Sequence, residues 1–190
     1  MIRCISFIGT RESAIVSEEI RSLYDRAACA AAWAGYTVAT GAAKGFDQIA
    51  AAGALSAGGK VKLILPWTNY ERWWYESKIV GYPGKVEIEV YTPSIHKEWT
   101  ESVVNLHPNG IRLSDGAFRL HARNFGIISC ASQVVAVPNH TKLGGGGTGQ
   151  GIRIAKSQRK RVFDLTNPAD FEELSRRLEH FEKIYNCDLR

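Results

Sequence analysis

Residues 36–66 read YTVATGAAKGFDQIAAAGALSAGGKVKLILP, and the order of patterns within this stretch decides the fold class. A short apolar run at 36–40 predicts a buried strand, and the glycine-rich turn 41–45 leads into an alanine-rich helix over 46–57. A second apolar run, 60–65, is stopped by Pro66 and predicts the next strand. Strand, helix and strand joined by short turns form a right-handed unit with parallel strands.

The residues before this stretch add a second unit of the same kind. Residues 2–8 are apolar and end at Gly9, which predicts the first strand. Ser17 is a typical helix N-cap, and the helix that it begins extends to Ala34, with Gly35 as the C-terminal cap. Three strands alternating with two helices predict a Rossmann-like, three-layer α/β fold with a mainly parallel, twisted sheet.

The second half of the chain continues this alternation with less regular patterns. The predicted strands are 86–91, 134–137 and 161–165, and the predicted helices are 93–105, 114–129, 148–158 and 168–185. Ser114 is the predicted N-cap of the second of these helices. No helix or strand is predicted for the aromatic segment 67–75, and residues 139–147 are predicted to form a loop. Because no repeat or linker interrupts the chain, we predict one domain over residues 1–190.

The composition favours anionic partners and a water-soluble setting. The formal net charge is +5, which attracts anions without identifying them. The basic run 153–161 is either a solvated helix end or an anion contact. No apolar run approaches the roughly 20 residues of a membrane span, and residues 1–5 lack a signal-peptide pattern, so we expect a cytoplasmic protein with no membrane partner. The cysteines stand apart from one another, which predicts no metal site.

Three glycine-containing loops, at 9–11, 40–45 and 143–150, each follow a predicted strand. The carboxyl ends of parallel strands lie at one edge of a sheet, so we expect these loops to meet there. Glycine lets the backbone approach a ligand closely, and a helix N-terminus offers free N–H groups to an anion. The pattern therefore predicts a crevice for a phosphate-bearing, nucleotide-derived ligand. A P-loop signature is missing, as is a dinucleotide fingerprint after the first strand.

At these loops the chain resembles the Rossmann domain of the DNA-processing protein A (DprA/Smf) family. The family's G-S-R-like turn is matched by Gly9-Thr10-Arg11. Its S-G-x-A-x-G-I-D-x-x-A-H-x-x-A-L motif is similar to residues 40–55, and its later R-N motif is similar to Arg123-Asn124. The resemblance implies a Rossmann-like fold and single-stranded DNA binding.

Residues 107–109, 113–114, 122–124 and 146–150 look like small, phage-encoded DprA-like proteins. These belong to the SLOG superfamily, which also contains LOG phosphoribohydrolases and sensor domains for ADP-ribose-type signals. The resemblance implies a nucleotide-type ligand and a homo-oligomer. LOG enzymes carry a catalytic glutamate in P-G-G-x-G-T-x-x-E, and alignment on Gly147-Thr148 places Gly151 at that position. Catalysis of the LOG type is therefore not expected.

The residues and the resemblance together define a candidate site. Arg11, Lys44 and Arg123 would supply positive charge, and Trp67, Trp73 or Trp74 would stack on a base. The full set of candidate ligand-binding residues is Gly9, Thr10, Arg11, Thr40, Gly41, Lys44, Asp47, Trp67, Arg123, Asn124, Gly145, Gly146, Gly147, Thr148, Gly149 and Gln150.

Three functions remain open from the sequence. The first is a small-molecule binding protein that senses or sequesters an ADP-ribose-type or cyclic nucleotide signal without turnover and without a cofactor. The second is single-stranded DNA binding through a basic groove with aromatic stacking platforms. The third is N-glycosidic hydrolysis of a nucleotide, for which Asp47 is the best placed carboxylate, although such an acid also caps a helix N-terminus.

Overall fold

The computed structural model describes residues 3–109, 112–142 and 146–185. Over these ranges it contains six strands and seven α-helices, with a short 3₁₀ turn at Ser13–Ile15. The strands are β1 (Cys4–Gly9), β2 (Thr37–Thr40), β3 (Lys60–Leu65), β4 (Val86–Val90), β5 (Gln133–Val137) and β6 (Arg161–Asp164). The helices are α1 (Glu18–Trp33), α2 (Phe46–Ser56), α3 (Arg72–Gly81), α4 (Lys97–Leu106), α5 (Asp115–Ser129), α6 (Gly146–Ser157) and α7 (Pro168–Tyr185).

The sheet is parallel throughout, in the order β4-β3-β2-β1-β5-β6. The chain builds outward from β1 to β4 and then returns to the other side of β1, where Gly9 pairs with Val137 at the ends of β1 and β5. In open parallel sheets the crevice for a ligand lies outside such a reversal of strand order. The predicted Rossmann-like α/β fold is confirmed.

Helices cover both faces of the sheet, because the side chains of each buried strand alternate between two cores. Ile5 and Phe7 of β1 belong to the core beneath α1, α2 and α7. Cys4 and Ile8 belong to the core beneath α5 and α6, which α4 also contacts through Trp99. Strands buried on both faces in this way are typical of parallel sheets.

An aromatic group holds the start of α2 against β1. The ring of Tyr24 in α1 lies between Phe7 and Phe46, with centroid distances of 5.3 and 5.0 Å and edge-to-face geometry in both contacts. All three rings are almost completely buried. Because Phe46 is the first residue of α2, this packing also determines where the neighbouring Asp47 lies.

The predicted caps are present, whereas the middle of the chain differs from the prediction. Ser17 and Ser114 accept hydrogen bonds from backbone N–H groups in the first turns of α1 and α5. α3 was not predicted. Tyr75 holds this helix in place, because its side chain is buried and its hydroxyl donates a 2.8 Å hydrogen bond to the Thr68 carbonyl. Neither contact can be seen in the sequence pattern. α4 begins later than predicted, because residues 92–96 form a hydrogen-bonded turn.

Within the described ranges, no helix combines the length and the apolarity that crossing a bilayer requires.

We predict that Gly45→Ala destabilises the fold. Gly45 has φ +86°, and a Cβ there would lie 2.6 Å from the Thr10 carbonyl oxygen, so the side chain meets both a strained backbone and rigid atoms. The expected loss in the free energy of unfolding is roughly 1–3 kcal/mol, measured by urea denaturation. Gly81→Ala is the control, because a Cβ at Gly81 would have nothing within 4 Å. Equal unfolding midpoints for the two variants would contradict the prediction.

Candidate ligand-binding cleft

A cleft of about 250 Å³ opens at the carboxyl edge of the sheet, where the strand order reverses. Loops after β1, β2 and β5 meet there with α5 and the first turn of α6. Its lining residues are Ile8, Gly9, Thr10, Arg11, Ala43, Asp47, Leu120, His121, Arg123, Asn124, Asn139, Lys142, Gly146, Gly147 and Thr148. The expected meeting of the three glycine-containing loops at one edge is therefore present in the parts of those loops that the structure describes.

The turn after β1 is held by hydrogen bonds to its neighbours on both sides. The Thr10 backbone N–H donates to the Val137 carbonyl at 2.9 Å, and the Thr10 carbonyl accepts from the Phe46 N–H at 3.3 Å. The Thr10 hydroxyl accepts from the Glu12 N–H at 3.2 Å, which closes the turn. Backbone contacts to both β5 and α2 leave this turn little freedom to move.

Glu12 connects the β1 turn to the loop after β5. One carboxylate oxygen accepts from the Asn139 side-chain amide at 3.0 Å, and the other pairs with the Lys142 ammonium. The hydrogen bond and charge of Lys142 lower the pKa of Glu12, so this carboxylate stays ionised. The link brings Asn139 and Lys142 to the cleft.

The first turn of α6 forms one wall of the cleft. Gly146, Gly147 and Thr148 all line it, and the first N–H groups of any helix have no partner within the helix. Asn124 of α5 donates from its side-chain amide to the Gly147 carbonyl at 3.1 Å, which fixes this turn relative to α5. Free N–H groups and the positive end of the helix dipole together favour an anion.

A buried ion pair lies at the floor of the cleft. Both terminal nitrogens of Arg123 are 3.5 Å from one oxygen of Asp47, and the two residues are only 5% and 3% exposed. Asp47 also accepts from the backbone N–H groups of Gly9 at 3.3 Å and Ala43 at 3.4 Å. Burial raises the pKa of Asp47, and these partners act in the opposite direction.

Gly41 makes the ion pair possible. A Cβ built on Gly41 would lie 1.5 Å from a terminal nitrogen of Arg123, so the guanidinium occupies the space that any side chain would need. Gly41 itself is absent from the lining of the cleft. At this position the structure shows a close approach between the loop backbone and the Arg123 guanidinium.

His121 gives the cleft an uncharged aromatic wall. Burial and the neighbouring charge of His107 lower the pKa of His121 to about 4, so its imidazole is neutral near pH 7. His121 was not among the predicted residues, and neither were Leu120, Asn139 and Lys142. Two of these residues had a signal in the sequence. Leu120 precedes Asn124 by one helical turn, so helical spacing could have indicated it, and Asn139 follows the end of β5, as the other loop residues of the site follow their strands.

Several predicted residues lie outside the lining. Thr40 is fully buried, Lys44 is exposed, and Gly149 and Gln150 are buried within α6. Gly145, with Leu143 and Gly144, lies outside the described residues.

Trp67 belongs to a neighbouring aromatic contact rather than to the lining of the cleft. It packs edge-to-face on Tyr70 with centroids 5.1 Å apart, and the Tyr70 hydroxyl accepts a 2.8 Å hydrogen bond from Arg11. Trp67 therefore contacts a residue that orients Arg11.

Gly151 lies at a close packing contact between α6 and β1. It is buried in α6, and a Cβ there would lie 2.5 Å from the Cδ1 atom of Ile8 in β1. The helix and the strand approach closely at this point, and a side chain at this position would have to displace the end of the Ile8 side chain.

Part of the basic run 153–161 is used within the fold. Lys160 donates to the Ile128 and Ser129 carbonyls at the end of α5, and Arg161 pairs with Asp170 and Glu173 at 2.7 and 2.6 Å. These contacts favour the interpretation of this run as a solvated helix end, in which cations satisfy carbonyl groups.

Comparison with known protein families and with curated proteins finds no match. Solved structures do match. DprA from Streptococcus pneumoniae is 18% identical with a TM-score of 0.57, over 86% of this chain and 50% of that one. DprA from Helicobacter pylori is 17% identical with a TM-score of 0.58, over 86% and 65%. A molybdenum cofactor carrier protein from Chlamydomonas reinhardtii is 19% identical with a TM-score of 0.50, over 85% and 75%.

These likenesses establish a shared fold, so the predicted DprA-like domain is confirmed at the level of architecture. The chain spans between half and two thirds of the length of the two DprA structures.

We predict that Arg123→Leu destabilises the protein in a pH-dependent way. Removing the guanidinium leaves the Asp47 carboxylate buried without its cation, which costs roughly 3–5 kcal/mol of unfolding free energy near neutral pH. The folded-state pKa of Asp47 then rises further above its unfolded value of about 3.8. Because the folded state binds this proton more tightly, the deficit shrinks as the pH falls through the raised pKa. Urea denaturation between about pH 5 and pH 8 measures it.

Two further variants serve as controls for this prediction. Arg119→Leu, on the same helix, breaks an exposed pair with Asp115 and should leave stability nearly unchanged. Asp47→Asn/Arg123→Leu removes both charges and should lose the pH-dependent part of the deficit. A neutral-pH stability of Arg123→Leu equal to that of the unaltered chain would refute the role assigned to this ion pair.

Proposed function

We propose that the cleft binds the phosphate group of a nucleotide-derived small molecule and holds it without turnover. One observation carries the proposal: the first turn of α6 faces the β1 turn across the cleft, at the point where the strand order reverses. Backbone N–H groups from two loops and a helix N-terminus are the usual means by which α/β proteins hold phosphates.

The charges of the lining residues support an anionic ligand. Arg11, Arg123 and Lys142 are cations, and Asp47 is the one carboxylate among the described lining residues. Arg123 is paired with Asp47. Among the residues that the structure describes, Arg11 donates to the Tyr70 hydroxyl and Lys142 pairs with Glu12. The Tyr70 hydroxyl is uncharged, and the exposed pair of Lys142 and Glu12 contributes little to stability, so both cations can turn toward a phosphate, with which arginine forms stronger, paired hydrogen bonds.

The opposite wall supports the nucleoside part of such a ligand. Leu120 supplies an apolar surface, and the neutral imidazole of His121 can stack on a base or form a hydrogen bond with it. An uncharged wall beside a cationic one suits a molecule with a flat base at one end and a phosphate at the other.

The surroundings of Asp47 favour binding over hydrolysis. Both of its oxygens already accept hydrogen bonds from backbone N–H groups, and Arg123 contacts one of them. A carboxylate used in this way stabilises the loops and is poorly available as a nucleophile or a general base. The packing role of Gly151 agrees with this interpretation.

A negative charge at the first turn of α6 should abolish this binding. We expect calorimetry to show that AMP, ADP-ribose or cyclic AMP binds the unaltered chain, and that Gly147→Glu weakens this binding at least about tenfold by repelling the phosphate. A Cβ at Gly147 meets only the Asn124 amide, at 3.7 Å, so the variant should fold.

Gly116→Glu is the matched control for that experiment. It places the same charge in the first turn of α5, where nothing lies within 4 Å of the added Cβ and no residue lines the cleft. Its affinity should equal that of the unaltered chain. Absence of heat with every probe, or equal losses in both variants, would exclude the proposed function.

A second candidate function is single-stranded DNA binding. The matched Helicobacter pylori protein is described by its single-stranded DNA binding mode. In this chain Trp73 is 94% exposed on α3, which follows β3 at the same edge of the sheet as the cleft. An exposed indole and a net positive charge are the features with which proteins stack bases and track a phosphate backbone.

Trp73→Ala tests this candidate directly. If the chain binds single strands, we expect the variant to lose about tenfold in affinity for a labelled oligothymidine in a fluorescence anisotropy titration. Trp33→Ala removes a 53% exposed indole at the end of α1 and should have no effect. Binding by the unaltered chain should weaken steeply with added salt, because each phosphate contact releases a counterion. A weak, salt-insensitive titration would exclude DNA binding.

A further inference from the structure

Two cysteines lie side by side at the edge of the sheet opposite the cleft. Cys4 begins β1, and Cys130 is the C-terminal cap of α5, with the two Sγ atoms 3.6 Å apart. The Ser132 backbone N–H and hydroxyl both donate to the Cys4 carbonyl, at 2.9 and 3.2 Å. These bonds hold the turn after α5 against the start of β1, so the approach of the two thiols is built into the fold.

The two thiols differ in exposure and in acidity. Cys130 is exposed, whereas Cys4 is buried. A hydrogen bond with Cys4, together with the positive charges of Lys62 and Lys160, lowers the pKa of Cys130. The same hydrogen bond and burial raise the pKa of Cys4. An exposed thiol beside a buried one is the arrangement of an attacking cysteine and a resolving cysteine.

We propose that Cys4 and Cys130 form a reversible redox site that a hydroperoxide oxidises to an intramolecular disulfide. The Cys130 thiolate attacks the terminal oxygen of the hydroperoxide and the O–O bond breaks. The products are the Cys130 sulfenic acid and an alkoxide, which takes up a proton and leaves as an alcohol. When the oxidant is hydrogen peroxide, the leaving group is hydroxide, which leaves as water. The Cys4 thiol then attacks the Cys130 sulfur, the S–O bond breaks, and the hydroxyl leaves as water with the thiol proton. Peroxide is reduced and the two thiols are oxidised together.

The geometry allows this bond with small movements. A disulfide needs its sulfurs about 2.05 Å apart, so the pair must close by roughly 1.5 Å, which a side-chain rotation at the exposed end of a helix can supply. A shared metal ion is less well supported, because no group of three His, Cys, Asp or Glu side chains in the described ranges could hold one. The bond would join residues 126 positions apart and restrict the unfolded chain strongly.

The test uses the full chain with Cys29→Ser and Cys187→Ser, which leaves only the proposed pair. After treatment with hydrogen peroxide, intact-mass measurement should show a monomer that has lost two hydrogens, and peptide mapping should identify the Cys4–Cys130 link. Dithiothreitol should reverse the change. The oxidised form should melt roughly 5–10 °C above the reduced form, because the cross-link lowers the entropy of the unfolded chain.

Single replacements of the pair separate the two roles. In the Cys4→Ala variant, the Cys130 sulfenic acid should persist and react with dimedone. The Cys130→Ser variant should consume peroxide no faster than a chain in which both Cys4 and Cys130 are replaced. Should either variant fail to fold, peptide mapping of the chain that retains both cysteines decides the question. Oxidation that stops at Cys130, or that links two chains, would overturn the proposal. No ligand of the cleft enters the test, so its outcome is independent of the proposed function.

Discussion

The buried pair of Arg123 and Asp47 is the interaction on which the cleft depends. Arg123 belongs to α5 on one face of the sheet, and Asp47 belongs to α2 on the other, so their contact joins the two helical layers beyond the strand ends. Asp47 also accepts hydrogen bonds from the turns after β1 and β2. One carboxylate therefore positions both loops, and neither charge can be removed alone without leaving the other buried and unpaired.

This arrangement separates the charges that maintain the fold from those that can meet a ligand. Arg123 and Asp47 neutralise each other at the floor, whereas Arg11 donates to the uncharged Tyr70 hydroxyl and Lys142 belongs to an exposed pair with Glu12. The first turn of α6 adds partial positive charge from backbone groups, which require no side chain. If the cleft binds an anion as proposed, Arg11 and Lys142 would exchange their present contacts for stronger ones to the anion, while the pair of Arg123 and Asp47 stays in place.

The candidate site was only partly predictable from the sequence. The loops after β1 and before α6 were identified because glycine-rich turns after apolar runs have a clear local signature. Leu120 was missed although it lies one helical turn before the predicted Asn124, and His121 was missed because the helical pattern alone does not show which side chains lie over a cleft. Lys44 and Trp67 were predicted from charge and aromaticity, yet their side chains lie outside the lining. The charge or aromaticity of a side chain follows from the residue type alone, whereas the direction in which the side chain points depends on the packing around it.

By itself, the sequence determined the alternation of strands and helices, the caps at Ser17 and Ser114, and hence a parallel sheet with its loops at one edge. These features follow from short-range periodicity and backbone preferences, which depend on residues close to one another in the chain. The contact of Arg123 with Asp47 past Gly41, and that of Cys4 with Cys130, could be seen only in the folded chain. Such contacts join residues far apart in the chain, and they exist because two layers pack onto one sheet.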